Sequence, residues 1–392
     1  MHRAYTWIAT ICMTVCTSCQ ERPAQSVSPV ENGSGSPLPI LVGHIDPLAR
    51  GQTPFGESAE NGLKLAILER NQRNGIKGRK IELESIDDHG SEEEAAEAAV
   101  RLVSQHHVSV IFGEVASRRS FAMAPIADAN RTPMIAIGAT EPKVTLNGDK
   151  TRPYVFRACF ADPFQGAVMA QFARNKLKVG KAAILRAAGN DYSEGLARSF
   201  ARRFNELGGQ IVADESFKAG DEDFKRQLTG IQAQKPDTIF VPGYYTDVAV
   251  IARQARAFGL RQPFLGGDGW DSAKLFELAQ GALDGSFFSE HYAPSDPSPA
   301  VQDFIARYKA AFGTTPDALA VLGYEAGELA FDAMNRASDL TGPAIRDALE
   351  QTKDLKGVTG TIRFDAHHDA VKSVVVIRVG GNRGDYAASI EP

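Results

Sequence analysis

The sequence predicts an α/β protein of two doubly wound parallel-sheet lobes with a ligand cleft between them. Three observations predict it. Residues 108–142 hold two short β-branched apolar runs, 108–112 and 134–137, on either side of a helix-like segment at 117–130. Short buried strands joined by a helix make a βαβ unit with a parallel sheet. The same alternation restarts at Phe156 and repeats as far as residue 266, which implies a second α/β domain. A helical region and a strand pair then close the chain, which suggests that it crosses back into the first domain.

Each element has a local reason. Residues 40–45 (ILVGHI) read as a buried first strand, ended by Pro47. Leu63, Ala66 and Ile67 share one face of a helix at 61–71. Residues 80–86 (KIELESI) alternate as a second strand. The helix at 92–105 starts with Glu92, Glu93 and Glu94, whose charge complements the helix dipole. In the second domain, helices are expected at 163–176, 193–207, 221–234 and 248–258, with strands at 182–185, 211–214, 238–241 and 264–266. Gly208-Gly209 and Gly259 serve as helix stops. A strand at 286–290, helices at 300–312, 323–337 and 343–350, and strands at 360–364 and 373–379 complete the reading.

The chain opens MHRAYTWIATICMTVCTSCQ. Its apolar run is too short for a spanning helix and reads as a secretory signal over 1–19. Residues 20–38, rich in Pro, Ser and Gly, read as a flexible tether. The ending Cys16-Thr17-Ser18-Cys19 resembles a bacterial lipobox, which implies lipid attachment at Cys19. Of the four cysteines, only Cys159 lies in the folded part, where it is expected to be a small buried hydrophobe. No internal disulfide and no cysteine metal framework are therefore expected.

The formal net charge is −5, and Lys and Arg are scattered among Asp and Glu without a basic stripe. Nucleic acid is not an expected partner. No apolar run after the signal is long enough to cross a membrane, so membrane contact is expected only through the lipid anchor. No nucleophile elbow, P-loop or strand-linked G-x-G-x-x-G occurs. His106-His107 and His367-His368 are adjacent pairs whose side chains point apart on a strand or helix. Asp87-Asp88 and Asp268 with Asp271 read as surface turns. No enzyme activity, metal or cofactor is expected.

The loops after the two strands of the 108–142 unit are small and hydroxyl-bearing: 113–117 and 138–140. Ligands of open parallel sheets bind past the carboxyl ends of the strands, so both loops face one crevice. Ser117 also suits a helix N-cap. A hydroxyl and free N–H groups at a helix start can together hold a carboxylate.

Several segments occur in the order GQTPFGESAENGLKLAILERN, GIKGRKIELESIDD, IFGEVASRRSFAMAPIA, PMIAIGATEP, GNDYSEGLARSF, DTIFVPGYYTDVAVIARQARAFGL and FLGGDGWDS. The set resembles the periplasmic leucine/isoleucine/valine-binding protein family, the solute receptors of branched-chain amino-acid ABC importers. The resemblance spans nearly everything after the tether. It implies two lobes joined by three chain crossings, 39–157 with 290–368 and 158–289 with 369–390. It further implies a monomeric extracytoplasmic receptor, in the periplasm or at the cell surface. Such a receptor captures a branched-chain or other aliphatic amino acid by lobe closure and delivers it to an ABC permease. A ligand-sensing receptor of the same fold, for an amino acid, amide or related small molecule, is the alternative.

Carried over residue by residue, the resemblance places Ser117 on the ligand α-carboxylate. Gly138 and Thr140 grip the carboxylate and ammonium, and Asp268 in GGDG pairs with the ammonium. Tyr192 and Tyr244 come from the second lobe, and Phe55 closes over the aliphatic part. A further side-chain cover is expected near 319–324. Arg118 and Arg119 are unusual beside an aliphatic pocket, and one or both are expected to face solvent. An Arg118 that reached the cleft could pair with a second ligand carboxylate.

Overall fold

Strands separated by a helix pair in parallel, and this chain does so in two separate sheets. The computed structural model describes residues 37–48, 54–381 and 383–390. The first sheet has five strands in the order Ile81–Asp87, Ile40–Asp46, Ile111–Phe112, Met134–Ala136 and Val155–Arg157, all parallel. The second has seven, in the order Arg383–Ile390, Val374–Gly380, Phe287–Glu290, Phe264–Gly266, Thr238–Phe240, Lys181–Ala187 and Gln210–Phe217. Its last five strands are parallel, and the two C-terminal strands add an antiparallel edge. The chain passes between the sheets three times: after Arg157, after Glu290 and before Val374.

Successive side chains of a strand point to opposite faces, so a doubly covered strand must be apolar throughout. Phe112 packs with Leu63, Phe304 and Phe331 on one face of the first sheet. Its neighbour Ile111 packs with Leu102 and Met123 on the other. In the second sheet Ala183 and Leu185 join one core while Ala182 and Ile184 join the opposite one. The helices Pro299–Phe312, Ala318–Arg336 and Gly342–Glu350 return to the core of the first sheet.

One close crossing sets the geometry near the cleft. Helices Pro54–Gln72 and Ala318–Arg336 meet at glycines. A Cβ on Gly62 would stand 1.9 Å from the Ala320 carbonyl oxygen, and one on Gly323 would stand 2.1 Å from that of Ala59. Both helices begin at the cleft, with Phe55 on the first and Leu319 on the second.

Some elements differ from expectation. The strand at 108–112 shortens to Ile111–Phe112. The helix expected at 61–71 begins at Pro54, since proline is favoured in a first turn. The helix expected at 323–337 begins at Ala318, because Asp317 caps it by accepting from the Ala320 N–H at 2.9 Å. The helix expected at 221–234 begins only at Lys225. Val155–Arg157 was hidden by its charged end. The fully buried Arg157 guanidinium donates to the carbonyls of Ala139 (2.8 Å) and Glu141 (3.0 Å) and to Thr145 Oγ1 (3.0 Å). Arg383–Ile390 escaped because an exposed edge strand need not be apolar.

Cys159 is free and buried, and burial pushes its thiol up to about 12. The expected signal, Cys19 and nearly all of the tether lie outside the described residues. No described helix is long and apolar enough to cross a membrane.

The glycine crossing is testable. Gly323→Ala is expected to cost about 1–3 kcal/mol or more by overpacking. The change should appear as a lower urea midpoint at unchanged m-value. An unchanged midpoint would show that the two helices separate freely.

Candidate functional site

The carboxyl ends of both sheets' strands converge on one cavity of about 350 Å³, within the size range of small-molecule sites. Ser117 at a helix start and Gly138 in a loop come from the first sheet's side, and Tyr192 in the first turn of the helix Asp191–Glu206, Tyr244 and Asp268 from the second's. Phe55 and Leu319 close the sides. Of the residues singled out in the sequence, the cavity brings together Phe55, Ser117, Gly138, Tyr192, Tyr244 and Asp268. Thr140 is absent from its wall.

One end is built to receive negative charge. Ser117 opens the helix Ser117–Asn130, after an extended Ala116 that offers no side-chain cap. The first-turn amides therefore lack acceptors within the helix and present its positive end. Ser117 Oγ accepts from the Glu141 N–H at 3.3 Å, so its own proton is free to donate. A Cβ on Gly138 would stand 3.0 Å from Leu319 Cδ2 and 3.1 Å from the Val115 carbonyl oxygen. Only glycine lets these walls approach so closely without displacement. Thr140 lies behind the wall, fully buried, with its carbonyl accepting from the Asp162 N–H at 2.8 Å.

Beneath this end lies a buried charge cluster. Asp46 Oδ1 accepts from the Val115 N–H (3.0 Å), and Glu114 Oε2 from the Ala116 N–H (2.5 Å). Glu114 Oε1 also takes the Arg119 guanidinium at 2.6 Å. His44 Nε2 lies 2.8 Å from Asp46 Oδ2. Burial pushes Asp46 up to about 7 and Glu114 well above the usual carboxylate range, and it lowers His44 to about 4. Arg119 therefore does not face solvent as one reading expected. Its side chain is 18% exposed and lines the cavity, held by Glu114. Arg118 is half-exposed, yet it also reaches the wall, donating to the Gly189 carbonyl at 3.2 Å and pairing with Glu92 at 2.6 Å.

The opposite end is acidic. Asp268 Oδ1 accepts from the Tyr192 hydroxyl at 3.0 Å, and Oδ2 lies 3.2 Å from His291 Nε2. The Tyr192 oxygen accepts in turn from the Gly269 N–H at 3.0 Å. Gln165 Oε1 accepts from the Asp268 N–H at 2.9 Å, fixing the loop from behind. Burial keeps His291 below its ordinary range and raises Tyr192 well above its own, so both stay neutral. Tyr192 and Tyr244 stack with centroids 5.3 Å apart. Across the mouth, Phe55 meets Tyr245 edge-on at 5.6 Å.

Sequence reasoning missed Tyr245, His291, Glu290 and the inward placement of Asp271. Asp271 is not a surface turn. It lines the cavity and accepts from the Ala318 N–H at 3.1 Å. Glu290 ends the strand Phe287–Glu290 and His291 follows it, so the strand-end rule could have found them.

A sequence profile of the periplasmic binding protein family matches residues 39–385. The chain belongs to this family. It is 28% identical over 348 residues to the Leu/Ile/Val-binding protein homolog 2 of Brucella abortus, covering 89% of this chain and 92% of that protein. With the leucine-specific-binding protein of Salmonella typhimurium it shares 28% identity, over 84% of this chain and 88% of the relative. Among solved structures, the leucine-binding protein LivK of Thermotoga maritima superposes with a TM-score of 0.84. It is 38% identical, covering 90% of this chain and 99% of LivK. LivJ of Streptococcus pneumoniae, solved with isoleucine, gives a TM-score of 0.83 at 31% identity, covering 90% of this chain and 100% of LivJ. The fold is thus that of the type I periplasmic binding proteins, a periplasmic family of solute-binding proteins.

The buried cluster predicts a pH dependence. Asp46 is raised from 3.8 to about 7. Its stabilising contribution is therefore full below about pH 4 and is lost as pH rises through 7. Asp46→Asn keeps an acceptor for Val115 and cannot ionise. Its thermal midpoint, relative to the parent, should climb between about pH 4 and 8. Parallel pH profiles would mean that Asp46 stays ionised in the fold.

Proposed function

We propose that this protein is an extracytoplasmic receptor that captures an α-amino acid by closing two lobes around it and delivers it to an ABC import permease. The observation that carries this reading is the pair of opposed ends of one cavity. An uncapped helix start with Ser117 comes from one sheet, and Asp268 with Tyr192 comes from the other. A zwitterionic head group fits between them, its carboxylate on the helix amides and Ser117, its ammonium on Asp268. In a closed cleft each charge is costly to desolvate alone, so recognition requires both at once.

The lobes in this reading are 39–157 with 290–368 and 158–289 with 369–390, closing in hinge fashion. Phe55, Tyr244 and Leu319 form an apolar wall for a side chain, and the leucine and isoleucine in the relatives' names favour a branched-chain or other aliphatic one. Gly138 lets the wall close, and Thr140 supports its loop from behind. We assign the protein to binding rather than turnover, acting as a monomer held to a membrane by a lipid on Cys19.

Calorimetric titration with leucine, valine, phenylalanine, glutamate and lysine tests the reading. At least one should bind, and silence from every amino acid would overturn it. Ser117→Ala should weaken each bound amino acid by about tenfold or more, since it touches the shared carboxylate. Asp268→Asn should cost about a hundredfold, because it removes the partner of a buried ammonium. Effects confined to one ligand would contradict the head-group assignment.

A further inference from the structure

The cavity carries more acid than a zwitterionic head group needs. On the reading above, Asp268 answers the ligand ammonium. Asp271 and Glu290 line the same cavity. Glu290 is 2% exposed, its Oε1 accepts from the His291 N–H at 2.7 Å, and its Oε2 has no hydrogen-bond partner among the described residues. Asp271 uses Oδ2 on the Ala318 N–H at 3.1 Å. The cations of the wall are engaged elsewhere, Arg118 with Glu92 and Arg119 with Glu114, both at 2.6 Å. His291 lies beside Glu290, but it is kept neutral by burial and already bonds Asp268. Asp317 adds negative charge behind Asp271.

We propose that Asp271 and Glu290 form a second cation subsite, and that the ligand is an α-amino acid whose side chain ends in an ammonium or guanidinium. The inference rests on the α-amino-acid head-group reading and replaces its aliphatic side chain with an apolar stem that ends in a cation. A long basic side chain has an apolar stem and a charged tip. The stem lies along Phe55 and Leu319, and the tip reaches the two carboxyls. A purely aliphatic ligand would bury both acids uncompensated, which is costly. Among the described residues no group of three or more His, Cys, Asp and Glu side chains could hold a metal ion.

The titration behaviour agrees. Burial, with Asp317 next, pushes Asp271 up to about 7. Burial, with Asp271 and Asp268, holds Glu290 well above its usual range. Protonated, these acids tolerate an aliphatic side chain; ionised, they require a cation. Asp268, Asp317, His291 and Tyr292 are the other titratable groups around them.

L-lysine and L-norleucine share a stem and differ by the terminal ammonium, so calorimetry with both isolates the subsite. At about pH 8, lysine should bind at least about tenfold tighter than norleucine, and the ratio should shrink at about pH 6. Glu290→Gln should lower lysine affinity by about tenfold and raise that of norleucine. Norleucine binding tighter than lysine at both pH values would overturn this inference while leaving the amino-acid receptor standing. An equal effect of Glu290→Gln on both ligands would also overturn it, marking a structural role only. Binding of no amino acid at all would remove the underlying reading as well.

Discussion

Two buried carboxyls and one guanidinium, those of Asp46, Glu114 and Arg119, hold the start of the helix Ser117–Asn130, and the cleft is built outward from that start. Asp46 and Glu114 accept from the Val115 and Ala116 amides, the last two before the helix. With those amides occupied, the amides of the first turn are the ones left to face the cavity. Arg119 keeps Glu114 in place from within the same helix turn. Hydrogen bonds from the two carboxyls to successive backbone amides fix the path by which the chain enters the helix. The helix start is therefore aimed before any ligand arrives.

The second sheet answers with a different chemistry. Asp268 is held by Tyr192, His291 and, through its backbone, Gln165, so its carboxylate cannot swing away from the cavity. Contacts across the mouth include the Phe55–Tyr245 edge, the half-exposed Lys143–Asp191 pair at 2.9 Å and the Arg118 bond to Gly189. Exposed pairs of this sort contribute little each. On the proposed function, weak rim contacts leave the ligand to supply most of what holds the closed lobes together.

Much of this was legible in the sequence because it depends on local rules. Alternating short apolar runs and helices announced both sheets, and Gly259 and the Ser117–Asn130 segment fell where helix chemistry puts them. Ser117, Gly138 and Asp268 follow strand ends, where the parallel-sheet rule already points. Thr140 follows the same rule, yet it turns behind the wall. Its carbonyl accepts from the Asp162 N–H, a contact that distance from the strand does not reveal. Asp271 looked like a turn residue because nothing in GGDGWDS reveals that a helix beginning at Ala318 will bring its amide to meet it.

By itself the sequence determined the fold class, the alternation of elements, the polarity of each strand face and the kind of residue at each strand end. These follow from periodicity and from the chirality of βαβ connections, which act over tens of residues. Only the tertiary structure decided which charges are buried together: Asp46 with Glu114, Arg119 inside and not outside, and Asp271 and Glu290 on a wall shared with Asp268. Asp46 and Glu114, like Asp268 and Glu290, lie far apart in the chain. Their energies depend on mutual distance and on exclusion of water, neither of which exists until the two sheets face each other.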